Sequence, residues 1–83
     1  MNMYEKIENE INDLKELCTT EEQTDAINRL HSNWISLRDN ESLQADAAEL
    51  LKSDEDATDA FDADSAAYEA IRETQDAIIG YFS

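Results

Sequence analysis

Apolar side chains recur through the first 38 residues at alternating spacings of three and four. Tyr4, Ile7, Ile11, Leu14 and Cys18 form one such row, and Leu17 widens it. Spacing of this kind places side chains on one face of a helix, so a helix is predicted from about Met3 to Cys18. Its other face is polar, with Glu5, Glu8, Asn9, Asn12 and Glu16. Thr19 and Thr20 interrupt the row. Thr20 followed three residues later by Gln23 is a capping-box signature, and Glu21 and Glu22 suit the positive end of a new helix dipole. The second helix then extends to about Arg38 on Ile27, Leu30, Trp34 and Leu37, with Ala26 and Ile35 beside them.

The second half is less regular. Asp39-Asn40 reads as a turn without glycine or proline. A third helix is predicted from about Glu41 to Lys52 on Leu43, Ala47, Leu50 and Leu51, and Ser53-Asp54-Glu55-Asp56 as a loop or helix N-terminus. The last region reads as helix from roughly Thr58 to Tyr81. Phe61, Tyr68, Ile71, Ile78 and Phe82 form its stripe, with Asp64 and Gln75 as polar interruptions. Asp64 marks a break there, and Ser65 caps the final helix. Tyr81 and Phe82 are adjacent, so they are not expected to share one helix face; one of them would anchor a partner or close the end of the bundle. The predicted core is Ile7, Ile11, Leu14, Ile27, Leu30, Trp34, Leu50, Ile71 and Ile78. Together these patterns predict an all-α fold, a small antiparallel bundle of three to four short helices, with residues 1–83 as one acidic helical domain. A coiled-coil homodimer built from the first two helices is the structural rival, because the same spacing suits that seam.

Composition agrees with helix. The 83 residues include no proline, no valine and one glycine, Gly80. A chain of this length buries only about 60% of its unfolded surface, so modest stability is expected. Cys18 is the single cysteine, which excludes an intramolecular disulfide and suits a reducing cytoplasm. Apolar runs are too short for a signal peptide or a membrane span.

Charge changes the picture most. Asp39, Glu41, Asp46, Glu49, Asp54, Glu55, Asp56, Asp59, Asp62, Asp64 and Glu69 stand in one stretch with a single base, Lys52. That stretch supplies −10 of the formal net charge of −15. A field this one-sided opposes folding through self-repulsion. It also argues against direct binding of nucleic acid or of anionic membranes, whose phosphates would repel it. Clustered aspartates invite a calcium reading, but an EF-hand loop opening at Asp54 needs glycine sixth and glutamate twelfth, where Asp59 and Ser65 stand. His31 and Cys18 are the only soft ligands, too few for zinc without carboxylates or a second chain. Phosphate loops, nucleophile elbows and Ser/His/Asp settings are absent from the sequence. No catalytic residue, metal site or cofactor is expected, and the chain is not expected to be an enzyme.

The remaining expectation is that the acids meet a partner. Along helix, with a rise of 1.5 Å per residue, eleven carboxylates over 31 residues amount to about one charge per 4 Å, against roughly 3.4 Å per phosphate along a DNA strand. In size, charge and compactness the chain is similar to small phage-encoded DNA mimics, including anti-restriction and anti-CRISPR proteins. No family motif accompanies that likeness, so it transfers no functional residues. It implies an inhibitor in the host cytoplasm that occupies the basic groove of a nucleic-acid-binding protein. The candidate partner-binding residues are Asp46, Glu49, Asp54, Glu55, Asp56, Asp59, Asp62, Asp64 and Glu69. The alternative is a helical interaction module, such as an antitoxin, regulator or assembly subunit, that binds through an apolar stripe while the acids serve solubility or steering. Adaptation to high salt is a third reading of the same acids.

Overall fold

The computed structural model describes residues 2–52 and 56–82, and the side chains of 2–51 and 58–82. All regular structure among them is helical, in the order α1 (Met3–Glu16), α2 (Glu21–Asp39), α3 (Glu41–Gln44), α4 (Ala47–Lys52), α5 (Asp56–Asp59) and α6 (Ala66–Phe82).

Local side-chain hydrogen bonds set the helix ends. Asn2 accepts from the Glu5 N–H at 2.8 Å and caps α1. The first helix stops at Glu16, so Cys18 falls in the following turn rather than on the helix. Thr20 Oγ1 accepts from the Gln23 N–H at 3.1 Å, as the capping-box reading requires. The return bond shifts by one residue, because Gln23 Oε1 accepts from the N–H of Thr19 at 2.8 Å. Asn40 ends α2 in extended backbone and then caps α3, accepting from the Ser42 N–H at 3.1 Å. Ser65 Oγ accepts from the Tyr68 N–H at 3.2 Å and starts α6.

The predicted third helix is broken. At Leu43–Asp46 the backbone tightens, with the Asp46 N–H donating to Leu43 O at 3.0 Å, and α4 then restarts with the Leu50 N–H on Asp46 O at 2.9 Å. The break turns Ala47 and Leu51 into the core and leaves Leu50 only half-buried, correcting its place in the predicted core. The last predicted helix is also divided, by residues 60–65, and Phe61 is the buried anchor of that division.

Long-range bonds show the direction of each leg. Glu8 meets Trp34 and Tyr4 meets Arg38, so α1 and α2 are antiparallel. Glu10 meets Thr74 while Tyr4 and Phe82 both lie near Trp34, so α1 is antiparallel to α6 as well. The segments α3–α5 return along α2. Gln44 Nε2 donates to Leu37 O at 2.9 Å at one end, and Gln23 Nε2 donates to Ala60 O at 3.2 Å at the other. The result is a four-legged antiparallel bundle whose third leg is made of three short pieces. Its radius of gyration, 12.0 Å, is what about 83 packed residues should give.

Ile7, Ile11, Leu14, Ala26, Ile27, Leu30, Trp34, Leu37, Ala47, Leu51, Phe61, Ile71 and Ile78 form the core. The stripes of α1 and α2 are thus covered within the chain except at Leu17, which is 48% exposed. Burying such side chains stabilises the fold by about 1.5–3 kcal/mol for each large one. Thr74 is the buried polar member, and its hydroxyl donates to Ala70 O at 2.9 Å. Tyr81 and Phe82 divide in burial as expected, Tyr81 being 43% exposed and Phe82 packed against the core, but their rings do not part. Both pack on Trp34, with ring centroids 5.8 and 5.6 Å away, and on each other at 4.9 Å, so the three rings form one aromatic cluster at the end of the bundle.

Candidate interaction surface

Charge is divided unevenly between the legs. Residues 1–40 carry nine acids and four bases, −5, and residues 41–83 carry twelve acids and two bases, −10. In the first half a polar network uses some of the charge. Glu8 Oε1 accepts from Trp34 Nε1 at 2.7 Å and lies 3.6 Å from an Arg38 nitrogen, and Glu8 Oε2 lies 3.7 Å from His31 Nε2. Lys15 Nζ lies 2.8 Å from His31 Nδ1, within hydrogen-bond reach. Arg38 also donates to Asp39 at 2.9 Å and to the Tyr4 hydroxyl, and its guanidinium lies 5.7 Å from the Tyr4 ring centroid. The bond to Asp39, then that to Tyr4, raises the Arg38 pKa above its ordinary value, and the same bond to Arg38 lowers the Asp39 carboxyl. His31 is therefore half-buried in a network at the α1–α2 border. Cys18 donates to Leu14 O at 3.4 Å, and burial raises its thiol pKa against a smaller opposing effect of Thr24.

In the second half the described acids face water. Asp46 lies in the turn before α4, Glu49 on α4, Asp59 at the end of α5, Asp62 and Asp64 in the 60–65 loop, and Glu69 in the first turn of α6. All six are exposed. None of them forms an ion pair with another described residue. Asp56 opens α5, and its side chain, with Asp54 and Glu55, lies outside the described residues.

The backbone under these acids is held in place. Phe61 is 8% exposed, and Ala60 O takes the bond from Gln23 on α2. Asp62 Oδ1 accepts from the Asp64 N–H at 3.0 Å, and Asp62 O accepts from Ser65 Oγ at 2.7 Å. The loop thus bonds to itself on one side and to the core on the other, leaving the remaining carboxylate oxygens to solvent.

Packing on α6 adds members that the sequence reading left out. Ala63, between Asp62 and Asp64, lines a shallow depression of about 410 Å³ with Tyr68, Glu69, Arg72, Glu73 and Asp76. Glu73 and Asp76 continue the acidic row from Glu69 at steps of four and three, a signal visible in the sequence once α6 is placed. Arg72 interrupts the field there, over the Tyr68 ring at 6.0 Å from its centroid. Among the described residues no group of three or more His, Cys, Asp or Glu side chains is placed to hold a metal ion. No helix among them is long and apolar enough to cross a membrane.

Compared with protein-family models, with curated proteins and with solved structures, the chain matches none.

Proposed function

We propose that this chain is an acidic protein-binding inhibitor that presents carboxylates in place of phosphates and blocks the basic groove of a nucleic-acid-binding protein, in the manner of phage anti-restriction and anti-CRISPR proteins. The observation that carries the reading is the set Asp46, Glu49, Asp59, Asp62, Asp64 and Glu69: exposed and without ion pairs among the described residues. The loop pinned by Phe61 and Gln23 supports it, because acids on a held backbone lose less entropy on meeting a partner than acids on a free chain. Glu73 and Asp76 extend the surface. Each exposed pair with a lysine or arginine contributes little, about 0–1 kcal/mol, so affinity comes from many together and association is fast and salt-sensitive.

The experiment is competition. A target captured from bacterial lysate is offered labelled DNA or RNA together with this protein. Displacement of the nucleic acid, weakening steeply with ionic strength, is the expected result. Changing Asp59, Asp62 and Asp64 to Asn and Glu69 to Gln should abolish displacement without unfolding, since Asp62→Asn keeps the side-chain oxygen that holds the loop. Simultaneous binding of nucleic acid and this protein would refute mimicry.

A further inference from the structure

The flank where α1 passes α6 is not closed. Leu14 and Thr74, both buried, floor a groove of about 170 Å³, with Ala70 on one side and Leu17 on the other. Leu17 is 48% exposed at the end of a helix whose Ile7, Ile11 and Leu14 are sealed. Three carboxylates, Glu10, Asp13 and Glu73, complete the lining, and no lysine or arginine is among it. Lys15, close by in sequence, is turned to His31 on α2, and Arg72 lines separate depressions of α6. The Thr74 hydroxyl bonds within its own helix at Ala70 O and reaches Glu10 Oε2 only at 3.4 Å, so the Glu10 carboxylate keeps acceptor capacity.

A floor of Leu14 and of Thr74, whose hydroxyl is already bonded to Ala70 O, under an acidic rim selects its occupant. An apolar cavity of about 150 Å³ holds a benzene-sized group, so this groove takes one leucine- or methionine-sized side chain. The rim requires positive charge beside that side chain. A second copy of a chain with net charge −15 would bring like charge to the rim and is disfavoured. We propose that this groove docks a basic amphipathic segment of a partner protein, one apolar side chain seated between Leu17 and Ala70 with Lys or Arg three or four positions away on Glu10, Asp13 and Glu73. The site shares Glu73 with the acidic surface proposed above but uses none of the acids between residues 46 and 69, so Leu17→Ser and Asp13→Asn test it independently of whether the partner binds nucleic acid.

Methyl and backbone NMR of the labelled protein tests this with synthetic helical peptides. One set carries a leucine row flanked by lysines, a second has the leucines changed to serine, and a third has the lysines changed to glutamate. The leucine–lysine peptides should shift Leu14, Leu17, Ala70 and Thr74 saturably. The serine peptides should bind at least about tenfold more weakly, the order expected for one lost buried leucine contact, and the glutamate peptides more weakly than the lysine peptides because they bring like charge to the rim. Leu17→Ser should weaken binding similarly while circular dichroism stays native, since that side chain is half exposed. Asp13→Asn with Glu73→Gln should weaken it and flatten its salt dependence. Equal affinity for the serine peptides, or shifts confined to residues 46–69, would overturn the proposal in favour of diffuse charge attraction. The same methyl shifts appearing on concentrating the protein alone, with a dimeric mass in solution, would also overturn it, because a second copy would then be the occupant.

Discussion

Trp34 and Glu8 offer a direct measure of what joins α1 to α2. Trp34 is the sole tryptophan, 0% exposed, and its one polar atom donates to Glu8 Oε1 at 2.7 Å. A hydrogen bond to a charged group contributes about 1.5–3 kcal/mol net. The Glu8 side chain is 24% exposed and also faces Arg38 and His31, so solvent screening and these second partners place the coupling nearer about 1–2 kcal/mol. Trp34→Phe keeps an aromatic ring against Tyr4, Tyr81 and Phe82 but removes the donor. Glu8→Ala removes the acceptor. Urea unfolding of wild type, both single variants and the double variant, followed by far-ultraviolet circular dichroism because Trp34→Phe has no indole signal, gives the coupling as a cycle. The melting midpoint should fall by about 4–8 °C for each kcal/mol lost in a domain of this size. Coupling below about 0.5 kcal/mol, the scatter of independent sites, would mean that the indole N–H bond does not join these helices in solution.

Leu30→Ala and Ile71→Ala, each removing a fully buried side chain, should cost about 2–5 kcal/mol in chemical denaturation. The melting midpoint should rise with added sodium chloride from very low salt, because a Debye length of about 10 Å at 0.1 M is comparable with the 12.0 Å radius of gyration over which −15 charges repel; a flat midpoint would refute that repulsion. Cys18 should react with iodoacetamide more slowly in the folded protein than in urea, since burial raises its pKa. The same shift makes the thiol's contribution to stability complete below the unfolded pKa and lost as pH climbs towards the folded value.

In the first two legs, what depends on neighbours three or four positions away was readable from the chain, whereas the row through Leu43, Ala47 and Leu50 was broken by a turn. The rows through Ile7, Ile11 and Leu14 and through Ile27, Leu30 and Trp34 became buried helix faces, because helical geometry alone aligns them. The caps at Thr20 and Ser65 were readable for the same reason, each bonding an N–H three residues on. The exposure of Asp46, Glu49, Asp59, Asp62, Asp64 and Glu69 followed from charge, since burying so many unpaired carboxylates would cost more than a small core returns. Packing between distant segments decided the rest. Leu51 rather than Leu50 entered the core because the turn at Leu43–Asp46 rotated α4 against α6, and nothing local distinguishes two adjacent leucines. Tyr81 and Phe82 both found Trp34 only because α2 and α6 end side by side. Glu73 and Asp76 joined the acidic surface when Ala63 folded beside them, and Glu10 and Asp13 met Glu73 across a groove that exists only where α1 crosses α6. A sequence records which side chains share a helix face; which faces are sealed, and which gaps are left between them, is settled only when the legs of the bundle compete for the same apolar surface.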